Sequence, residues 1–451
     1  MNPQSSRTPF NRRTFLSLAA AGGMSATLAA CGGGTSPRDA GGADPVAATG
    51  DGGASGYDGP NVDLAFWNGF TGGDGPTMKA LVDQFNTEHA NIAVTMTTMQ
   101  WADYYSKLPT AVSSGNGPDV GIMHVDSVAT NAARNVIQPL DDVATALELE
   151  ESDFAPVPWE AGLFDGKRFA IPLDVHPLGF YYNKALMEEA GLDPEAPPTD
   201  EASYMEALEA LKGAGIQGHW ASPFPFTGGL SVQSLIYQFG GSLFNEDGTT
   251  VMWAEEPGVK AMTWWADLIK QGHSPAKVDQ DADYVALKNG ENAFNWNGIW
   301  QINDLKQTDL EWGVAALPNI GGTPAAWAGS HQFVLPVQKS ADENKAQASR
   351  VFLNWVSEQS QAWGEAGQVP ARNSAREAEE FTSLEEQSTL ASQIDDLKFL
   401  PAVPGIGDCM GEFDKALNAS VLGGADPAKA LADAAARAQK ILEDNATKYG
   451  R

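Results

Sequence analysis

From Val62 to Met123 the chain alternates strand-like and helix-like segments, and this limits its fold more than any other feature. "VDLAFW" reads as a strand and "NGFTGGDGP" as a loop. In "MKALVDQFN", Met78, Leu81, Val82 and Phe85 fall at helical spacing. "NIAVTM" is a second strand, and "WADYYSKLPTAVSSG" is a helix closed by Gly115 with a kink expected at Pro109. "PDVGIM" is a third strand. Strand, helix, strand, helix, strand is the rhythm of an α/β sheet with parallel strands.

The rhythm continues. "GKRFAIPLDVHPLGFYYNK" reads as a strand pair running through a junction, and helices are expected at Ser231–Phe239, Pro257–Lys270 and Lys345–Glu358. "ENAFNWNG", "EWGVAALP" and "HQFVLP" read as later strands. Asp426-Pro427 offers an N-cap followed by Pro at the first helical position, opening a helix to about Asp444. About 390 folded residues exceed one comfortable core and imply two domains. With 43% hydrophobic residues and 13 tryptophans the chain has the means to fill them.

In front of this body stands "NRRTFLSLAAAGGMSATLAAC", Asn11 to Cys31. Its apolar run is broken by Gly22 and Gly23 and is short for a membrane span, which needs about 20 apolar residues. A basic front (Arg7, Arg12, Arg13), an apolar middle and small residues at the end are the layout of a secretory signal. Arg12-Arg13-Thr14-Phe15-Leu16 resembles a twin-arginine export signal, although Asn11 stands where Ser or Thr is usual. Leu28-Ala29-Ala30-Cys31 resembles a bacterial lipobox, which implies that Cys31 is the lipidated first mature residue. Residues 1–30 are thus expected to be a signal peptide, and 31–59, almost entirely small and polar, a flexible tether. The membrane is then touched only through the lipid on Cys31, and the protein sits on the outer face of the bacterial cytoplasmic membrane.

The net charge is −30, and losing the basic leader makes the rest more negative still. Such a surface repels nucleic acid and anionic headgroups, so no nucleic-acid partner is expected. Of the two cysteines, Cys409 has no partner once Cys31 is acylated.

Catalytic signatures are missing. No short acidic motif marks a glycosidase pair, which needs two carboxyls facing each other across the scissile bond. The six histidines, His89, His124, His176, His219, His273 and His331, show no metal-ligand spacing. There is no G-x-S-x-G elbow, and "GFTGGDGPTMK" lacks the endings of phosphate loops. No catalytic residue, cofactor or metal is expected.

What stands out is aromatic residues in loops beside neutral polar groups: "FWNGF", "HWASPFPFTGG", "FNWNGIW" and "WAGSHQF". Aromatic faces pack on the C–H faces of a pyranose, and Asn, Asp, His and Gln sort its hydroxyls. Most tryptophans should still be core, Trp264, Trp265, Trp312 and Trp355 among them. Trp300, preceded by "NWNG", is the one expected to meet ligand.

These residues carry a family resemblance. "FWNGFTGGDGPTMKALVDQFN", "SSGNGPDV", "GKRFAIPLDVHPLGFYYNK", "NGENAFNWNGIW" and "GSHQFVLP", in this order behind a lipoprotein leader, resemble the family 1 extracellular solute-binding proteins, the maltose-binding type that serves ABC sugar importers. The resemblance spans about Val62 to Tyr449. It implies a two-lobed type II periplasmic-binding-protein-like fold, each lobe a mostly parallel sheet flanked by helices, with hinge crossings between them. The crossings are expected at Leu173–Leu178, near Pro318–Gly322, and after "HQFVLP". That puts 60–173 and 320–335 in the N-terminal lobe, and 178–318 and 336–451 in the C-terminal lobe.

The resemblance also implies the binding positions. The loop after the first strand supplies Asn68, Phe70 and Thr71, and the end of the third supplies His124 and Asp126. The hinge supplies Asp174 and His176, where the maltose binder has a carboxylate in place of His176. Trp220, Trp300, His331 and Gln332 complete the set. The implied function is capture of a carbohydrate, of oligosaccharide size, and delivery to an ABC permease by hinge closure, as a monomer and without chemistry. The alternatives are an exported carbohydrate-active enzyme, or a binder of a polyol or glycerol phosphodiester. A charged ligand fits poorly, because the candidate loops hold almost no Lys or Arg apart from nearby Arg372.

Overall fold

The computed structural model describes residues 56–449, so the leader, Cys31 and the tether up to residue 55 lie outside the described residues. The alternating segments form β1 (Val62–Asn68), α1 (Gly75–Glu88), β2 (Ile92–Thr98), α2 (Trp101–Ser114), β3 (Val120–His124) and α3 (Val125–Ala133). Later come β4 (Ile171–Pro172), β5 (Asp174–Asn183), α4 (Leu230–Gln238), α5 (Glu256–Lys270), β6 (Phe294–Gly298) and β7 (Trp312–Ala315). The chain ends with β8 (Ala326–Gly329), β9 (His331–Val334), α6 (Glu343–Glu358), β10 (Val369–Pro370), β11 (Leu397–Lys398), α7 (Ile406–Val421) and α8 (Pro427–Tyr449).

These strands build two main sheets. The first has the order β2-β1-β3-β9-β4, with β1 parallel to β2 and β3, and β9 antiparallel to both its neighbours. In the second, β5 is the spine. It is antiparallel to β10, β8, β6 and β7 at successive points along its length, and all ten of its residues are buried. A strand flanked on every side reads as a continuous apolar run rather than an alternating one. That is why "DVHPLGFYYN" showed no period of two.

Local chemistry sets the ends of the helices. α2 stops at Gly115, whose φ of 81° is the left-handed conformation that glycine adopts at no steric cost. Pro109 lies inside α2 without ending it. α8 starts where the Asp426 carboxylate accepts the Lys429 backbone N–H at 2.9 Å. Among the described residues no helix is long and apolar enough to cross a membrane.

Each sheet has its own core. The first gathers Leu64, Phe66, Phe85, Phe333 and Phe352; the second gathers Phe180, Tyr204, Trp253, Trp265 and Trp296. Each such side chain contributes roughly 1.5–3 kcal/mol by leaving water. As expected, Trp265 and Trp355 are core; Trp264 and Trp312 are only partly buried against it.

Three expectations about the path of the chain need correction. The return crossing is not at Pro318–Gly322. That stretch is tied to α4, where Gln238 accepts from Ile320 N at 2.8 Å and donates to the Pro318 and Ala325 carbonyls. β8 still pairs with β5, and the chain changes sheets at Ser330. The last crossing is also later. α6 and Trp363 pack into the core of the first sheet, and the chain returns only at Val369, which pairs with Val175. Residues 336–366 therefore join the first lobe: the apolar face of α6 covers β1. Finally, the tether does not run free to residue 59. The Tyr57 ring is buried in the first core, and its carbonyl accepts from Asn91 Nδ2 at 2.8 Å.

Candidate functional site

The three crossings, at Leu173, Ser330 and just before Val369, lie side by side, and a cavity of about 380 Å³ opens there between the sheets. The loop after β1 contributes Thr71 and Asp74, and the first residue of α2 contributes Trp101. The end of β3 and the start of α3 contribute His124 and Asp126. The crossings contribute His176, Gly329, His331 and Gln368. From the second lobe come Phe226, Gln233, Trp300, Trp327, Met410 and Asp414.

Four aromatic side chains thus face the cavity: Trp101, Phe226, Trp300 and Trp327. Phe226 is 65% exposed, although it is one of the larger apolar residues of the chain. Two glycines make room for the indoles. A Cβ on Gly298 would stand 2.1 Å from the Trp300 ring, and one on Gly69 would stand 2.1 Å from the Trp101 ring. Each indole is therefore laid flat against backbone.

Three of the lining residues carry polar atoms without partners. Asp74 Oδ1, Gln233 Oε1 and both amide atoms of Gln368 are buried and make no hydrogen bond among the described residues. Leaving a buried polar atom unpaired costs about 1–3 kcal/mol, so four at one cavity point to hydroxyl or amide groups supplied by a solute. Among the described residues no lysine or arginine lines the cavity. Burial raises the carboxyl groups of Asp74 and Asp126, and pushes Asp414 up to about 6.

Beneath the cavity, Asp174 is fully buried and organises the histidines. Its Oδ1 accepts from the His331 backbone N–H at 2.9 Å and meets His176 Nδ1 at 3.1 Å. Its Oδ2 accepts from Trp363 Nε1 at 2.7 Å and meets His331 Nδ1 at 2.7 Å. Burial alone would raise this carboxyl; the charge on His331 and the hydrogen bonds from His176 and His331 outweigh it and hold the group well below the usual carboxylate range. Burial, then the neighbouring His331, pushes His176 down to about 4 against the pull of Asp174. Burial, with His331 and His176 adding to it, also takes His124 well below the ordinary imidazole value. The six histidines looked scattered in sequence, yet three of them, His124, His176 and His331, converge here.

Of the expected binding residues, Thr71, His124, Asp126, His176, Trp300 and His331 line the cavity. Five do not. Asn68 is buried and its Oδ1 accepts from Phe70 N and Thr98 Oγ1, so it shapes the loop. Phe70 is buried between Trp101, His331 and Trp363, beneath the lining. Asp174 holds its neighbours, and Gln332 points away, donating to the Pro158 carbonyl and to Ser330. Trp220 is partly buried and away from the lining. Several lining residues were not foreseen. Trp101 was absorbed into a helix pattern, and Trp327 was noticed only as part of "WAGSHQF". Asp74, Gln233, Gln368 and Asp414 carry no local signal; their mark is burial without a partner, or burial beside the cavity.

The family model for bacterial extracellular solute-binding proteins matches residues 80–389. The chain belongs to that family. A binding protein of Brucella abortus is 24% identical over 383 residues, covering 82% of this chain and 90% of the relative. Among solved structures, the GacH receptor of Streptomyces glaucescens, known unliganded and with acarbose, superposes with a TM-score of 0.76 at 23% identity, over 85% of this chain and 99% of the other. A cyclic α-maltosyl-1,6-maltose binding protein from Arthrobacter globiformis gives 0.72 at 24% identity, over 86% of this chain and all of the other. At such identities the structural likeness speaks for the fold: this solute-binding protein has the two-lobed architecture of its neighbours. Family and neighbours alike are binding proteins.

Proposed function

We propose that this solute-binding protein captures a carbohydrate of oligosaccharide size in the cavity between its lobes and presents it to an ABC permease, without catalysing a reaction. The observation that carries the reading is the lining itself. Among the described residues it has four aromatic side chains, four buried polar atoms lacking partners and no fixed cation. Stacking surfaces beside neutral hydrogen-bonding groups are what a polyhydroxylated ring needs. Thr71, Asp74, Asp126, Gln233 and Gln368 would sort hydroxyls, and Trp101, Phe226, Trp300 and Trp327 would stack.

Both lobes contribute to the lining, so a solute that touches both favours the closed arrangement, and closure is what a permease can read. Export through the twin-arginine signal, a lipid on Cys31 and action as a monomer belong to the same proposal.

A thermal-shift screen against mono- and oligosaccharides tests it. A ligand bound only by the folded state stabilises by RT ln(1 + [L]/Kd), about 2.7 kcal/mol at one hundred times Kd. A shift with one class of glycan and no hydrolysis product is the expected result. Flat curves throughout would refute a sugar ligand, and a shift accompanied by product would refute the non-catalytic reading.

A further inference from the structure

We propose that the solute carries a positively charged amino group and that Asp414 binds it, so that this protein takes an aminated sugar in preference to its neutral counterpart. The inference rests on the carbohydrate reading above and narrows it. Three aspartates line the cavity, Asp74, Asp126 and Asp414, and among the described residues no lysine or arginine does. That lining disfavours an anion but not a cation. The cavity also holds Gln368, fully buried with both amide atoms unpaired, which marks it as a place where a ligand completes the hydrogen bonding.

The three carboxyl groups differ in what offsets their charge. Asp74 is the residue that opens α1, and Asp126 lies in the first turn of α3. At a helix start the free backbone N–H groups and the positive end of the helix favour a carboxylate. Backbone N–H groups act on both residues, and Asp74 also feels the charge of His331. Asp414 has none of this. It stands in the middle of α7, where the backbone N–H groups are spent on the helix itself. Among the described residues no group donates to it and no cation pairs with it. Burial alone acts on this carboxyl and pushes it up to about 6. At neutral pH it is therefore mostly ionised, a charge half-removed from water with nothing to meet it. Such a charge costs free energy until it is paired, and an ammonium entering the cavity supplies the partner.

The surroundings suit an ammonium carried on a sugar ring. The Asp414 carboxylate lies against the turn Pro225–Gly229: a Cβ on Gly229 would stand 3.3 Å from its Oδ1. The same turn carries Phe226, whose ring is 65% exposed and lines the cavity. Met410, one helical turn before Asp414 on α7, lines it too. An aromatic face attracts an ammonium through its negative face and packs on the C–H face of a pyranose, so it serves both parts of an aminated sugar.

Isothermal titration calorimetry of the full chain tests this with sugars that differ in amino against hydroxyl groups. Maltotriose is compared with an amino-deoxy maltotriose, and cellotriose with the glucosamine trimer of the same linkage. The N-acetylated trimer adds bulk without charge and is the control. In at least one pair the aminated sugar should bind roughly 10–100-fold more tightly, which is what a hydrogen bond to a charged group is worth. Asp414→Asn keeps the size of the side chain and removes its charge; it should bring the ratio of aminated to neutral affinity to within about threefold of one, whereas Asp126→Asn should preserve the ratio. Near-UV circular dichroism checks that both variants are folded. Neutral sugars bound without an amine preference would overturn this inference alone, as would a preference undiminished in Asp414→Asn. No binding by either member of any pair would overturn the carbohydrate reading and this inference with it.

Discussion

Replacing Asp174 by Asn changes one atom and should unsettle the junction between the lobes. The carboxylate takes four N–H contacts, two on each oxygen. An asparagine keeps one oxygen and turns the other into an NH2 group. If the NH2 sits at Oδ2, it faces Trp363 Nε1–H and His331 Nδ1. If it sits at Oδ1, it faces the His331 backbone N–H and His176 Nδ1. In either pose a neutral histidine can switch tautomer and accept, but the indole or backbone N–H cannot. One buried N–H is therefore orphaned, at about 1–3 kcal/mol, and the surviving bonds lose their charge, each worth about 1 kcal/mol less. The expected loss is about 3–5 kcal/mol, the range seen when one partner of a buried ionic cluster is removed.

Equilibrium urea unfolding, followed by tryptophan fluorescence and near-UV circular dichroism, measures it. Asp83→Asn, at an exposed carboxylate paired with Lys79, is the control and should leave the transition in place. A loss below about 1 kcal/mol for Asp174→Asn would mean that the four contacts do not act as one charged cluster, and the reasoning would fail.

Three further outcomes are expected. Gly298→Ala should fold, because φ −75° and ψ 156° suit any residue, but its Cβ must push the Trp300 ring aside, weakening glycan binding about tenfold by calorimetry. Phe226→Ala removes a ring that is 65% exposed; affinity should fall while the unfolding midpoint stays put, and the reverse pattern would deny it a binding role. The pH dependence of stability should carry the signature of His219, pushed by burial to about 3 and meeting Tyr204 Oη at 2.6 Å. Its folded value lies below its unfolded one, so its contribution is full above pH 6.5 and is lost as pH falls towards 3, by at most about 1.4 kcal/mol per unit. His219→Gln should flatten the unfolding free energy over that window.

Much of this protein was legible before its structure. Apolar spacing of 2 and 3.6 residues is a local property, so the segments from β1 to β3, the helices and the caps at Gly115 and Asp426 could be read directly. Trp300 showed itself because a tryptophan after Asn-Gly in a loop has no helical face to belong to. The position of the crossings did not show, because either sheet offers an apolar surface to the same kind of segment, and only packing decides between them. α6 went to the first core by shape, and the stretch 318–325 was kept with the second by the amide of Gln238.

The cavity lies further beyond the sequence. His124, His176 and His331 sit on separate strands or their ends and meet only because β3, β5 and β9 converge where the chain changes sheets. Asp74, Gln233 and Gln368 count as site residues because they are buried without partners, a condition that exists only once the lobes are packed. The order of residues determined the elements, their ends and the supply of stacking rings. Tertiary structure alone decided which polar groups share one cavity, because that depends on the distance between atoms far apart along the chain.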